Sequence, residues 1–432
     1  MIRKLRAIVL ILIGLQAFAA AHAATPPGAE PTRGGAGGRI VRVTTLAKDG
    51  PGSLKAAIDA DGPRIVVFEV GGVIDLGRDT LTIEKPFITI AGQTAPSPGI
   101  TIIRGGIDLK GHDAILSHLR VMTGADGQGH YSGWEADAFS TVGAYNVIVE
   151  HCSFLWALDE NMSASGPRFE GNSVAEWRAH TSHNVLFREN LAAEGLAFAS
   201  HPKGEHSKGS LIHDNTTGIV FYRNVFAHNV ERAPLVKGGA QVLMINNLIY
   251  DAGHRAVHYN LMALEWAGHP YVTGQITAVG NVLRGGNSTD AGLPFLTIGG
   301  DGDVAYYGRD NRAVDRFGKP LPMLGRYGET KARILPAKAP LASLAGYAIL
   351  PSGEVETSVL FFVAEGCGEI IDDEHQVGPG YPHPAETRAS FVEGDWNIAA
   401  MSPKSGRYPG QKEGAQEKLS PRDKAMRSAP GT

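Results

Sequence analysis

Cysteine is nearly absent from this 432-residue chain, and that shortage excludes several kinds of site. The two cysteines, Cys152 and Cys367, lie far apart, and no Cys/His cluster has the spacing of a zinc site. The chain also lacks a glycine-rich phosphate-binding loop and the GxSxG turn of serine hydrolases. We expect the two thiols not to pair, because Cys152 falls at a turn where a small buried side chain suffices.

Long apolar runs are confined to the N terminus. Three basic residues precede an apolar stretch that begins at Ala7, and residues 21–23 (Ala-His-Ala) fit a small-residue cleavage site. Residues 1–23 are therefore predicted to be a secretory signal peptide, with an N-terminal membrane anchor as the alternative. Cleavage of the signal peptide would remove three basic residues and change the net charge of the chain from −4 to −7. This negative charge argues against nucleic acid as a partner. We expect a secreted or periplasmic monomer that binds no membrane.

Helical periodicity is scarce, and apolar residues instead alternate with period two. Three segments share one pattern of alternation, residues 146–154, 184–192 and 218–226. The same alternation extends to residues 86–94, 113–121, 241–249 and 275–283. Alternation of this kind buries one face of a strand, so the repeated units are predicted to be strands.

The repeated segments align on one turn position. That position holds Leu119, Cys152, Asn190, Asn224, Asn247 and Asn281, which differ by 33, 38, 34, 23 and 34 residues. A repeat of strands with variable insertions indicates a solenoid, and asparagine suits its turns because it tolerates left-handed backbone angles. The pattern predicts an all-β protein, a parallel β-helix in which the asparagines stack on successive coils. A β-sandwich is the alternative.

The remaining segments suggest a division of the chain. Residues 24–38 are predicted to be a flexible leader and residues 39–300 the β-helix, with a short helix near residues 53–60, N-capped by Ser53, covering its open end. Residues 301–400 are predicted to form an irregular extension packed on the solenoid, and residues 401–432 a disordered tail.

Several motifs resemble the bacterial pectate lyases. The most specific is VEHCSFLWALDEN at residues 149–161, and the others are residues 49–58, 89–100, 203–212, 223–239 and 366–382. The resemblance implies a right-handed parallel β-helix that cleaves polygalacturonate by β-elimination with the help of Ca²⁺. An anionic polysaccharide would then be the partner.

Acidic residues occur in order along the repeats and are candidates for the calcium site. Asp137, Asp159 and Glu194 are the predicted ligands, because Ca²⁺ takes oxygen donors, and Glu160 is a competing ligand. The family pattern has a further acid where this chain has Ser163, and Glu194 is the predicted substitute. The alternative is that these acids cap turns.

Arg232 aligns with the proton-abstracting arginine of the family pattern RxPxxR. This chain reads RAPLVK, so Lys237 replaces the second arginine and loses the two-pronged grip on a carboxylate. Arg232 is the predicted catalytic base, with a structural ion pair as its alternative role and Lys208 as a rival base.

A basic cluster lies between Glu194 and Arg232 in the sequence. It is predicted, together with Lys237, to bind the anionic sugar chain, and its members are His201, Lys203, His206 and Lys208. A solvated loop is the alternative for this cluster. Three tryptophans are candidate platforms for stacking sugars, Trp134, Trp156 and Trp177.

Three other functions stay open at this stage. A β-helix hydrolase would use a pair of carboxylates, for which Asp159 and Glu160 are candidates. A β-helix that binds polysaccharide without cleaving it would not need Arg232. A lyase for another polyuronate would keep the calcium and the base but change the residues that bind the sugar.

Overall fold

The computed structural model describes residues 31–366. The predicted signal peptide, residues 24–30 of the leader, Cys367, the rest of the segment up to residue 400 and the predicted tail lie outside the described residues. Within them, no helix is long and apolar enough to span a bilayer.

Short strands dominate the structure. In chain order they are β1 (Arg39–Val43), β2 (Arg64–Phe68), β3 (Gly72–Asp75), β4 (Thr80–Ile83), β5 (Ile88–Ala91), β6 (Ile100–Ile103), β7 (Gly106–Leu109), β8 (His112–Ser117), β9 (Leu119–Met122), β10 (Phe139–Val142), β11 (Tyr145–Glu150), β12 (Ser153–Leu155), β13 (Met162–Ser165), β14 (His183–Arg188) and β15 (Leu191–Ala193). They continue with β16 (Leu211–Ile212), β17 (Thr217–Tyr222), β18 (Val225–Ala227), β19 (Leu235–Lys237), β20 (Gln241–Ile245), β21 (Leu248–Tyr250), β22 (Val257–Leu261), β23 (Gly274–Val279), β24 (Val282–Arg284), β25 (Leu296–Gly300), β26 (Val304–Arg309), β27 (Arg312–Val314), β28 (Leu324–Arg326) and β29 (Ile334–Pro336).

The strands form three sheets that the chain visits in turn. The first sheet has the order β1-β2-β5-β8-β11-β14-β17-β20-β23-β26-β29, the second β27-β24-β21-β18-β15-β12-β9-β6-β3 and the third β28-β25-β22-β19-β16-β13-β10-β7-β4. Each complete coil therefore contributes one strand to each sheet, and β1 and β29 extend the first sheet at its two ends. The named strands of neighbouring coils pair in parallel, as β14 does with β11 and β17. The apolar side chains that point inward from the three sheets form one long core. The predicted parallel β-helix is confirmed.

A short helix closes the N-terminal end, as the sequence predicted. Helix α1 (Leu54–Ile58) has Ser53 as its N-cap, and the Ser53 side chain accepts a hydrogen bond from the Ala56 N–H. Leu54, Ala57 and Ile58 are buried on the core. The end of α1 is held by Arg64, whose buried guanidinium donates to the carbonyls of Ala57 and Ile58. This arrangement covers apolar surface that the first coil would otherwise expose.

Two further helices were not predicted. Helix α2 (Val174–His180) lies between β13 and β14, and helix α3 (Ser352–Gly366) packs with Val355 and Val359 against the outer face of the second sheet. The apolar run within residues 358–364 alternates poorly because it belongs to α3, which needs one apolar face against the sheet.

Strand pairing also continues beyond residue 300, where the sequence placed the end of the β-helix. Strands β26, β27, β28 and β29 each join an existing sheet. Alternation fades there because the last coils expose more of their surface; β26, for example, is buried only at Val304 and reaches solvent at Arg309. Backbone pairing therefore persists where the apolar pattern does not.

Buried asparagines form a continuous ladder at the turns from the first to the second sheet. The Nδ2 group of Asn190 donates to Oδ1 of Asn224 at 3.0 Å, Asn224 to Asn247 at 3.0 Å, and Asn247 to Asn281 at 2.8 Å. The series ends at Asn311, which accepts from Asn281 at 2.9 Å. Each Oδ1 also accepts the backbone N–H of the preceding rung, so buried polar groups are satisfied at every coil. The predicted stacking of asparagines is confirmed.

Loss of one rung should be costly for stability. Asn224→Ala would leave the buried Asn190 N–H without an acceptor, and the Asn190 Nδ2 group would keep only its bond to the Val149 carbonyl. We therefore expect a loss of about 3 kcal/mol in the free energy of unfolding. The measurement is the denaturant midpoint at constant m-value. Asn287→Ala, which removes an exposed side chain that accepts a hydrogen bond from Arg316 at the surface, is the matched control and should change the midpoint little. Equal midpoints for the two variants would contradict a structural role for the ladder.

Candidate active site

The candidate site lies where the chain passes from the second sheet to the third. Two long connections, residues 123–138 and 194–210, flank the short connection 156–161 of the coil between them. The two long loops are joined above it, since the Tyr131 N–H donates to the Ala199 carbonyl at 2.9 Å. We call the joined loops the arch.

Three acids meet beneath the arch. Asp137, Asp159 and Glu160 each offer a carboxylate oxygen, and these oxygens lie within 4.8 Å of one another. Asp137 and Glu160 stand at equivalent positions of neighbouring coils, because β10 pairs with β13 directly after them. The Glu160 N–H donates to Oδ1 of Asp137 at 3.0 Å, which fixes the carboxylate of Asp137. Stacking of coils therefore brings these acids together, as the sequence led us to expect for Asp137 and Asp159.

The electrostatics of this acidic group favour a cation. Burial raises the pKa of Asp137 well above its ordinary value, and the carboxylates of Asp159 and Asp108 raise it further, while Arg232 opposes the shift. Burial alone would also raise the pKa of Asp159, but the hydrogen bond from His206 and nearby positive charges bring it below its ordinary value. A bound cation would remove the mutual repulsion, and the all-oxygen donor set of Asp137, Asp159 and Glu160 is the chemistry that Ca²⁺ prefers.

Glu194 does not join this group, although the sequence suggested it as a ligand. Among residues 31–366 the potential metal-holding groups contain Glu160 and not Glu194. Glu194 follows β15 directly, and its Oε2 accepts a hydrogen bond from the Trp156 indole N–H at 2.9 Å. Burial raises its pKa to about 7. The turn-to-charge offset is shorter for Glu194 than for Asp159, so its side chain remains at the end of the second sheet.

The raised pKa of Glu194 should make stability depend on pH. Below about pH 4.5 the Glu194 carboxyl is protonated in both the folded and the unfolded state. As the pH rises towards 7, the carboxyl ionises in the unfolded chain but not in the folded protein. The free energy of unfolding therefore falls, by up to roughly 3 kcal/mol above pH 7. Glu194→Gln keeps an oxygen for Trp156 and removes this loss. We expect its denaturant midpoint to exceed that of the wild type near pH 8 and to match it near pH 4. The exposed Glu205→Gln is the control, and a difference for Glu194→Gln that does not grow with pH would refute this assignment.

His201 and His206 contact Asp159 rather than solvent. Their rings stack at 3.4 Å with an interplanar angle of 17°, and they are only 1% and 6% exposed. His206 Nε2 lies 3.0 Å from one oxygen of Asp159, and His201 Nε2 lies 3.5 Å from the other and 2.8 Å from Glu135. The prediction that these histidines bind the sugar chain directly is therefore corrected, because their buried rings are positioned to orient the Asp159 carboxylate.

The two histidines and Asp159 also form a group with metal-ligand spacing. The Lys203 N–H donates to Nδ1 of His201 at 3.1 Å, which places the ring proton on Nε2 in the neutral form. These contacts favour orientation of Asp159 over ligation by His201.

Arg232 stands between the acidic group and a second, cationic group. Its Nη1 pairs with Oε1 of Glu160, and its Nε lies 4.0 Å from Oε1 of Glu231. Lys208 donates to the same Glu231 oxygen at 2.5 Å, and Arg255 pairs with the other oxygen of Glu231. Burial lowers the pKa of Arg232, the carboxylates of Asp159 and Asp137 oppose the shift, and the like charge of Arg255 adds to it. An arginine with a lowered pKa therefore lies beside the acids.

Lys208 and Lys237 are less accessible than the sequence suggested. Lys208 is buried in its pair with Glu231, and Lys237 is buried in an ion pair with Glu265. Lys237 therefore cannot reach a substrate carboxylate without breaking that pair, which corrects its predicted role. Of the basic residues predicted to bind the sugar chain, Lys203 alone is exposed.

Several residues of the site were missed by the sequence reasoning. Glu231 is adjacent to Arg232 in the sequence, so proximity alone could have found it. Asp108 interrupts the apolar residues of β7 at an outward position, which is a weak signal of a site acid. Arg255 and Glu135 lie in irregular connections, where no repeat pattern identifies a position.

Comparison with known proteins was made by sequence and by structure. No family model matches the chain. It is 35% identical over 221 residues to a probable pectate lyase C of Emericella nidulans, covering 51% of this chain and 45% of that protein. It is 32% identical over 286 residues to a probable pectate lyase C of Aspergillus fumigatus, covering 65% of this chain and 59% of that protein. The chain is similar in sequence to pectate lyases. It spans about half the length of these curated relatives.

The likeness to pectate lyases includes the fold. The cedar pollen allergen jun a 1 superimposes with a TM-score of 0.53 at 13% identity, covering 78% of this chain and 90% of that one. A pectate lyase solved for its substrate specificity and anti β-elimination mechanism gives a TM-score of 0.50 at 13% identity, covering 76% and 93%. At this identity the comparison concerns the fold alone, which is the right-handed parallel β-helix that the motifs implied.

Proposed function

We propose that this protein is an exported, monomeric lyase that cleaves polygalacturonate by calcium-assisted β-elimination. The observation that carries the proposal is the position of Arg232, half-buried beside Asp137, Asp159 and Glu160. The deprotonated side chain of Arg232 would be a strong base, and the neighbouring carboxylates are oxygen donors for a cation. The similarity to pectate lyases supports the same chemistry.

Calcium would be held by Asp137, Asp159 and Glu160. Their three oxygens are fewer than the six to eight that Ca²⁺ takes, so water and a substrate carboxylate would supply the others. When bound, the ion supplies positive charge that neutralises the carboxylate of the substrate as negative charge develops next to it. Release of Glu160 from its pair with Arg232 would leave the arginine available for the substrate.

Arg232 is the proposed base. It takes the proton from the carbon next to the uronate carboxylate, and the electron pair left on that carbon forms a double bond to the neighbouring carbon. The bond from that neighbour to the glycosidic oxygen breaks, and the leaving oxygen is protonated by water. Burial and the like charge of Arg255 favour the neutral form of Arg232 that this step requires.

The cationic group suits the charge of the substrate. Arg255 and Lys208 share the single carboxylate of Glu231 beside Arg232, and of these two cations only Arg255 is partly exposed. A substrate carboxylate bound here would add the negative charge that the group lacks. Such a site favours an acidic sugar chain over a neutral one.

A hydrolase is favoured by one observation, the opposite pKa shifts of Asp137 and Asp159, which is how paired carboxyl groups divide acid and base roles. Hydrolases, however, hold such carboxyl groups about 5 to 9.5 Å apart. Here the oxygens of Asp137, Asp159 and Glu160 lie within 4.8 Å. This spacing suits a shared cation better.

The test is the mass of the products. Purified protein is incubated with calcium and one of three chains: polygalacturonate, a methyl-esterified form of it, or a polyuronate of a different sugar. Elimination adds no water, so each cut should give an unsaturated fragment lighter by one water than the hydrolysis product. Saturated fragments alone would establish a hydrolase, products from a different uronate alone would change the substrate, and intact chains in every case would leave a binding protein.

A further inference from the structure

Two aromatic side chains on the arch are exposed. Tyr131, on the first long loop, is 49% exposed, and Phe198, on the second, is 61% exposed. By contrast, Trp156 and Trp177, which the sequence suggested as sugar platforms, are buried. Large exposed aromatics close to a candidate site are a common sign of a binding surface.

The main chains of the two aromatic residues meet at the joint of the arch. Tyr131 donates its N–H to the carbonyl of Ala199, the residue after Phe198. Tyr131 also has a left-handed backbone, with φ of 57°, in a loop rather than at one of the regular turns between sheets. That conformation is unfavourable for a bulky residue and persists only when neighbouring contacts fix it. The arch therefore fixes the main chain from which the Tyr131 ring projects.

The arch is attached to the candidate site itself. Gly133 donates to the Ser200 carbonyl, and the Ser200 hydroxyl donates to the Trp134 carbonyl at 2.7 Å. The next residues on the two loops, Glu135 and His201, contact each other and, through His201, Asp159. The exposed aromatics are thus a few residues from the acids, on the same rigidly bonded unit.

The arch carries one exposed cation, Lys203, which can pair with a carboxylate. Lys203 is exposed in the loop that carries Phe198, close to the turn that the His206 N–H closes onto the Ala197 carbonyl. Glu205 on the same loop and Glu135 on the other are also exposed, so the arch can hold a single carboxylate of the chain, at Lys203. A uronate ring has this combination, with one face of C–H bonds and a carboxylate at its edge.

We propose that Tyr131 and Phe198 form a sugar-binding platform on which one uronate unit of the polysaccharide stacks, with Lys203 pairing to its carboxylate. The C–H face of the sugar meets the electron-rich faces of the aromatic rings, an attraction that neutral packing residues would not provide. The platform binds a unit of the chain away from the bond that is cleaved. This inference rests on the proposed function for the identity of the sugar chain.

The test measures binding rather than turnover. Calorimetric titration with oligogalacturonate in calcium is performed on the wild type, Tyr131→Ala, Phe198→Ala and the double variant. We expect each single change to weaken binding by about tenfold, as for an aromatic anchor at an interface. Phe198→Trp should restore affinity, since it keeps an aromatic face. Phe87→Ala is the control, because Phe87 is similarly exposed, at 42%, but precedes β5 at a turn from the third sheet to the first.

Kinetics and other ligands separate this inference from the proposed function. If the platform acts as argued, the alanine variants raise KM and keep kcat within about twofold of the wild type. Wild-type binding that the alanine variants leave unchanged would overturn the platform and leave the lyase proposal standing. Aromatic-dependent binding of a different polyuronate would support the platform and contradict polygalacturonate as substrate. Absence of binding to any of these chains would overturn both.

Discussion

Arg232→Lys should lower kcat by roughly 10²- to 10⁴-fold, the usual loss when a general base is removed. Lysine keeps the positive charge but cannot place a nitrogen where the guanidinium Nη1 lies beside Glu160. Folding and calcium affinity should be retained, since the acids that would hold the ion are unchanged. The measurements are kcat and KM on polygalacturonate, with calcium binding by calorimetry.

The control for this change is Arg188→Lys, which alters an arginine that pairs with Glu150 in the first sheet, outside the candidate site. It should leave kcat nearly unchanged. Lys208→Ala tests the rival base. If Arg232→Lys raised only KM while Lys208→Ala abolished kcat, Arg232 would be a carboxylate clamp and Lys208 the base. That result is not expected, because Lys208 is buried in its pair with Glu231.

Asp159→Asn should have the second largest effect. Asp159 belongs to the acidic group and is the acid that His201 and His206 orient, so its loss removes an oriented oxygen donor. Removing a residue that hydrogen-bonds to a metal ligand lowers metal affinity by roughly 10- to 100-fold, and removing a ligand should lower it by at least as much. We expect calcium affinity to fall by that factor or more, and activity at low calcium to be lost. A chelator should abolish activity of the wild type.

Asp79→Asn is the control, since it changes an exposed aspartate that pairs with Lys48 near the N-terminal end. It should bind calcium as the wild type does. Glu194→Gln provides a second comparison, because Glu194 does not join the acidic group. Full activity in excess chelator would contradict the assignment of a catalytic calcium site. Calcium binding that depended on Glu194 and not on Asp159 would restore the ligand that the sequence suggested.

The fold was predictable because its stabilising contacts repeat. Alternation identified the strands, and the asparagine positions identified the turns, since each coil imposes the same burial and the same hydrogen bonds as its neighbours. The alternation of apolar residues no longer identified strands after residue 300. Strand pairing continues there through main-chain hydrogen bonds, which do not require alternating apolar side chains. Helix α3 was missed because its apolar residues face a sheet built from distant parts of the chain.

The candidate site was predictable only in part. Asp137 and Asp159 could be found from their order along the coils, and Arg232 from its motif. The positions of Glu194 and the histidines differ from the prediction because loop lengths, not the repeat, decide where those side chains lie. Lys237 belongs to strand β19, and its ion pair was not visible from the repeat. Glu194 bonds to Trp156 and Lys237 pairs with Glu265, and both partners are distant in sequence.

The most direct test of the account is the ultraviolet absorbance of polygalacturonate incubated with the wild type and with Arg232→Ala. Elimination creates a double bond conjugated with the uronate carboxylate, and hydrolysis does not. The account predicts that absorbance rises with the wild type in calcium, in proportion to new chain ends, and stays flat with Arg232→Ala or with chelator. New chain ends without absorbance, or an undiminished rise with Arg232→Ala, would contradict it.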